Sequence, residues 1–215
     1  SLWRRFALFF VLPSLLLLSV ISLKMVWISE QLDGRGLEFL YSFLYLSCFV
    51  LLCLSALKAQ WALLSSALAA ACLFSISGTN LLLYIWLPGQ AENTPADLLL
   101  GSALGVGIGA SIAVLWYYLL TELKQWRIHS FALLLSLSGA RQVMMASALL
   151  IQSDWLVAGP QLWQAEQLLS EQSELGFFLQ ALMGYEATPS LSQVLLYVLC
   201  FTVLFWCCSL MEKKR

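Results

Sequence analysis

The sequence predicts an all-α, polytopic membrane protein with six transmembrane helices and an amphipathic interfacial helix in the last outside loop. Three observations predict it. Of 215 residues, 61% are apolar and only 11% charged, less than half the roughly 25% of a soluble domain. A water-facing surface cannot be built around so much apolar side chain from so few charges. Six apolar stretches reach the roughly 20 residues that a helix needs to cross a bilayer. The basic residues also sort cleanly about those stretches. Arg4, Arg5, Lys58, Lys124, Arg127, Lys213, Lys214 and Arg215 fall on one side, and Lys24 and Arg35 on the other. By the positive-inside rule the first side is the cytoplasm. A single transmembrane domain, 1–215, with both termini cytoplasmic in a bacterial inner (plasma) membrane, is the expectation.

The first span covers 6–28. Trp3-Arg4-Arg5 ahead of an apolar run resembles a signal peptide, but no small-residue cleavage site follows, so the span reads as uncleaved. The second, 37–57, opens with Asp33-Gly-Arg-Gly-Leu-Glu38. A carboxylate there is favoured by the helix dipole. Glu38 is alternatively a hard oxygen ligand for a cation at the outer mouth. The third, 61–87, is interrupted by the polar run Ser75-Ile-Ser-Gly-Thr-Asn80. Thr79 and Asn80 are either helix–helix glue or part of a broken helix facing a substrate path.

The fourth span, 98–120, carries Gly101, Gly105 and Gly109 at four-residue intervals, with Gly107 between. Small residues so spaced form a face on which another helix packs closely. The fifth, 130–151, holds Arg141 at its middle, followed by Gln142. A charge at bilayer centre costs roughly 2.5–3.5 kcal/mol on insertion scales. Arg141 is either a structural residue, paired with an acid or bound to backbone carbonyls, or part of a translocation path. Glu38 and Asp97 are the acids nearest an apolar span edge.

Before the last span, 191–210, lies an outside loop with Asp154, Glu166, Glu171, Glu174 and Glu186 and no Lys or Arg. Within it Leu162, Trp163, Leu168 and Leu169 recur at helical spacing opposite Gln164, Glu166 and Gln167, which predicts the interfacial helix. The acids are solvated surface or a lure for cations at the outer mouth.

Several function classes are set aside by composition. Net charge is −1, so no basic field points to nucleic acid. His129 is the sole histidine and no catalytic or nucleotide-binding motif occurs, so no enzyme, and in particular no bis-His haem protein, is expected. The six cysteines lie inside apolar stretches without metal-finger spacing and read as small apolar fillers.

The second half carries a longer pattern. Gly101-Ser-Ala-Leu-Gly-Val-Gly leads into Leu115-Trp-Tyr-Tyr-Leu and Trp126-Arg-Ile-His-Ser-Phe. Later come Ser173-Glu-Leu-Gly-Phe-Phe-Leu-Gln-Ala-Leu-Met-Gly-Tyr185 and Thr188-Pro-Ser-Leu-Ser-Gln-Val-Leu-Leu-Tyr197. Over roughly 61–211 this resembles the oxidase-linked, high-affinity iron permeases of bacteria and fungi. The most specific part is the Leu-Gly…Gly-Tyr…Thr-Pro-Ser…Tyr order before the last helix. The resemblance implies seven spans and two Arg-Glu-x-x-Glu motifs whose carboxylates bind iron during passage. Here their places hold Gly34-Arg-Gly-Leu-Glu38 and Gly78-Thr-Asn-Leu-Leu82, so the chain is identified as a divergent member with degenerate motifs. Iron is then a transported ion, with no resident cofactor implied.

The functional expectation is a divergent permease for iron or another divalent cation. Glu38, Thr79 and Asn80 line its path and Arg141 sets the charge there. The alternative is a non-transporting structural or assembly subunit of a larger membrane complex, with the glycine face and tryptophans as docking surface. The partners implied are the lipid bilayer and other membrane or periplasmic subunits.

Overall fold

The computed structural model describes residues 2–58, 60–86, 100–101, 103, 107, 110–111, 114, 118, 121–122, 128–166 and 169–212. Its helices are α1 (Leu2–Glu30), α2 (Gly36–Leu57), α3 (Ala62–Trp86), α4 (Ile128–Gln152), α5 (Glu174–Met183) and α6 (Leu191–Glu212). All but α5 are long and apolar enough to cross a membrane. These five match expected spans one, two, three, five and six to within a few residues. The remaining expected span, 98–120, lies mostly outside the described residues, as do Gly105, Gly109 and the tail 213–215. The backbone divides into two compact units, Ser1–Thr79 with Ala132–Arg215, and Asn80–Phe131. Described residues of the second unit are helical, and a β-carbon added at Gly101 or Gly107 would meet nothing within 4 Å.

In the first unit, α2 is the central helix. On one side Tyr41 and Leu44 pack with Ile21 of α1 and with Cys72 and Ile76 of α3. Near the end of α2, Ala56 packs with Ala132 of α4 and with Leu204 and Cys208 of α6. Small residues make these approaches close. A β-carbon on Gly139 of α4 would stand 2.4 Å from Leu204 Cδ2, and one on Gly78 3.0 Å from Leu18 Cδ1. Gly139 and Gly78 are thus close-packing glycines among the described residues.

The α1–α2 link is a short 3-10 turn, Gln31–Gly34, in which Leu32 (φ 53), Asp33 (φ 59) and Gly34 (φ 86) are left-handed. It reverses the chain within a few residues. Gly36 then passes so near α1 that a β-carbon would lie 1.8 Å from the Ile28 carbonyl oxygen.

The contacts fix the direction of each helix. α1 and α3 start together, where Arg4 and Arg5 meet Trp61. α4 starts beside the end of α2, through Ala132 and Ala56. At the opposite end Arg35, just before α2, donates to the Ser153 carbonyl and pairs with Asp154 at 3.1 Å. The side chains of that pair are 44% and 79% exposed, so it locates the helix ends more than it stabilises them. α6 begins at this end too, its first amide bonded to the Pro160 carbonyl at 2.9 Å. α1 thus starts and α6 finishes at the same end of the unit.

Two expectations are corrected. The third span is not broken: α3 runs through Ser75–Asn80 without interruption. Its hydroxyls turn back on their own helix, Ser75 Oγ to Ala71 O and Thr79 Oγ1 to Ser75 O, both 2.7 Å, which satisfies them without a kink. The interfacial helix is not at Leu162–Leu169 either. Described residues there are irregular, with a bridge between Gln161 and Ser190 and bonds from Leu162 N to Pro189 O and Ala165 N to Ala187 O. Those bonds tie Leu162 and Ala165 to the return limb of the loop, and Leu169 N to Ala165 O, at 2.8 Å, closes a single turn. The loop's helix is α5, a few residues later.

Candidate intramembrane polar site

α2 carries a polar stripe on its inward side. Glu38, Tyr41 and Tyr45 stand at i, i+3 and i+7, a spacing that puts them on one helix face. Glu38 lies in the first turn of α2, half-buried, where the helix dipole favours its charge. Among the described residues no hydrogen bond of ordinary geometry reaches its buried Oε2 or the hydroxyl of Tyr41, a residue only 9% exposed. The two are electrostatic neighbours, and Tyr41 is in turn a neighbour of Tyr45. Thr79 of α3 stands beside the Tyr41 hydroxyl. Its own proton goes to Ser75 O, which leaves the Thr79 oxygen free to accept from the Tyr41 hydroxyl.

The stripe leads towards Arg141, whose charge reaches Tyr45. Arg141 sits at the centre of its span, Phe131–Gln152. No acid pairs with it among the described residues. Arg141 Nε donates to the backbone carbonyl of Gln180, at 3.0 Å. Gln180 lies in the last turn of α5, the negative end of that helix dipole, which suits a cation. Gly184, left-handed at φ 75, ends the helix and donates its own N–H to the same carbonyl at 3.0 Å. A β-carbon on Gly184 would press on Arg141 Cα at 3.2 Å. Glycine is required there twice, for its φ and for the contact.

This anchor fixes the depth of α5. Arg141 is eleven residues below the end of α4 at Gln152, about 16 Å at 1.5 Å per residue. The loop therefore dips from the Arg35–Asp154 end to the middle of the neighbouring span and returns. A 10-residue apolar helix is too short to cross a bilayer and suits a re-entrant segment. Ser173 caps its start by accepting from Gly176 N at 3.0 Å.

The return limb is held by polar contacts of its own. Glu171 Oε1 accepts from Ala187 N at 2.6 Å, and Tyr185 donates to Leu169 O at 3.0 Å. Gln193, at the start of α6, donates to Glu186 Oε2 at 2.7 Å and accepts from Ser190 Oγ at 2.7 Å. Burial pushes the Glu186 carboxyl above its ordinary value; Glu171 adds to this and the Gln193 bond opposes it.

Of the expected site residues, Glu38, Thr79 and Arg141 fall along one stripe inside the first unit. Asn80 is exposed and falls in the second unit. Tyr41, Tyr45 and Gln180 were missed. The tyrosines had a signal in their spacing from Glu38, whereas Gln180 contributes only a backbone oxygen and had none. Gln142, 3% exposed, adds another buried oxygen, Oε1, without a partner among the described residues. Among the described residues no three His, Cys, Asp or Glu side chains converge as a metal site. The six cysteines are buried or half-buried within the long helices.

No protein-family model, curated protein or solved structure matches the chain.

Proposed function

We propose that the protein is a membrane transporter that admits a small cation along the Glu38–Tyr41–Tyr45 stripe. The observation that carries this reading is the buried Glu38 Oε2, without a hydrogen-bond partner among the described residues, on the same face of α2 as the Tyr41 hydroxyl. An unsatisfied buried polar group costs a few kcal/mol, so oxygens kept in this state serve water or a passing ligand. Carboxylate and hydroxyl are hard donors, which select a hard cation over a soft one. The resemblance to iron permeases names iron as the first cargo to test, and the acidic loop above the stripe supports attraction of cations to that mouth.

The same reading includes a sixth crossing at 98–120. α3 and α4 start at the same end of the first unit, so the chain between them has to return, and 98–120 is the apolar stretch available for it. With Arg4, Arg5 and Lys58 at one end, the positive-inside rule makes that end cytoplasmic and the bacterial inner membrane the site of action.

A second reading, an assembly subunit of a larger complex, has one observation in its favour. The α1 span is only 11% buried, leaving an apolar face for lipid or another subunit. Flux into proteoliposomes separates the two. Transport predicts uptake of Fe2+ or Mn2+ that falls at least tenfold in Glu38→Gln and is unchanged in Glu30→Gln, a charge outside the stripe. No uptake by the wild type, with a partner that co-purifies in fixed ratio, overturns transport in favour of assembly.

A further inference from the structure

The geometry points to an anionic phospholipid bound between the first turns of α1 and α3, a site independent of the cation stripe. A cavity of about 530 Å3 opens there, lined by Arg4, Arg5 and Leu8 of α1 and by Gln60, Trp61 and Leu64 at the start of α3. Its chemistry is divided. Arg4, Arg5, Gln60 and Trp61 stand at the helix ends, and the leucines continue towards the span. That is the order of a phospholipid: phosphate first, acyl chain beneath.

Several observations support this occupant. Neither Arg4 nor Arg5 has a carboxylate partner among the described residues, where Arg35–Asp154 is the ion pair. Two adjacent guanidiniums without a counter-ion attract an anion, and guanidinium is suited to bidentate phosphate contacts. The mouth is also held in shape. Trp61 N donates to Lys58 O at 3.0 Å, and its carbonyl accepts from Ser65 N and Ser65 Oγ, both at 2.8 Å. Trp61 is half-exposed, as expected of an indole at headgroup level. Basic pockets between spanning helices take anionic headgroups, and each Lys or Arg near the surface contributes about 1 kcal/mol to that attraction.

Native mass spectrometry of the detergent-purified chain tests the assignment with phosphatidylglycerol and phosphatidylcholine of identical acyl chains. The expected result is preferential retention of phosphatidylglycerol. In the double variant Arg4→Gln, Arg5→Gln its affinity falls roughly thirtyfold, the factor for two such charges; in Lys24→Gln, a charge on α1 away from the cavity, it is unchanged. Glycerol 3-phosphate, which has the anion without the chains, is expected not to compete at matched concentration; competition would assign the cavity to soluble phosphates and overturn the lipid. Equal retention of the two lipids, or equal losses in the double variant and Lys24→Gln, overturns the site as well. Should the double variant fail to fold, Leu64→Trp fills the apolar wall and keeps both charges. Loss of phosphatidylglycerol retention in it supports the site, and full retention sinks it.

Discussion

At Gly139 the helices α4 and α6 meet with no room for a methyl group, because Leu204, opposite, is fully buried. Gly139→Ala is expected to lower stability by about 1–3 kcal/mol, the usual cost of overpacking, read as a fall in detergent-solubilised melting temperature. Combining it with Leu204→Ala should recover part of that loss, since the truncation opens the space the new methyl needs; additive losses would refute the contact. Glu186 offers a second test at the same scale. Burial and Glu171 raise its carboxyl above the ordinary value, against the Gln193 bond. The sign follows from linkage. A raised folded-state value means the protonated form is favoured by the fold. The resulting stability is fully present below the ordinary carboxylate range and is lost as pH rises through the raised value. Glu186→Gln should therefore flatten the pH dependence of loop stability across that window. The check is amide exchange of residues 185–193 measured at acidic and neutral pH. The sequence shows Glu186 only as one more loop acid. Its burial depends on Gln193, which spacing alone does not associate with it as a partner.

Among the elements, the long helices were the legible part. Hydrocarbon thickness dictates a length and a composition, and both can be counted in a sequence. The loop helix was not legible, because two segments competed for it. Residues 162–169 have the better amphipathic pattern, but the Leu162 and Ala165 amides are engaged by Pro189 and Ala187 across the loop. The Glu174–Met183 segment has a Ser173 cap and a Gly184 stop, signals that were present in the sequence and outranked by periodicity. The depth of α5 follows from Arg141, so that contact is the one to break. In Arg141→Gln the charge-assisted bond to Gln180 O is lost, a loss of about 1.5–3 kcal/mol. Amide exchange across 174–185 should then rise roughly tenfold or more, with exchange in α2 little changed. Exchange at the wild-type rate would mean that α5 is held by something else.

For the whole molecule, the described ends of α1 and α6 lie together, opposite Asp154. Single cysteines at Asp154 and Glu212, in a background with the native thiols replaced, should therefore label from opposite faces of sealed cells. Labelling of both from outside would refute the helix directions and remove the outer mouth from the transport proposal. Charge sorting leads to the same expectation, because Lys and Arg act on orientation one by one near the span ends. It did not anticipate the polar stripe. That arises from three helices and a returning loop, and no single stretch of sequence contains all of them.

The hold on Arg141 comes from main-chain oxygen, and this changes where its evolutionary trace should be sought. Whatever side chain occupies position 180, the carbonyl is there, so covariation between 141 and 180 has nothing to record. The position that cannot drift freely is 184, where a left-handed turn and the flank of the arginine both exclude a β-carbon. Distant homologues that keep the arginine should keep a glycine four residues past an otherwise unconstrained site, and those that lose one should lose both.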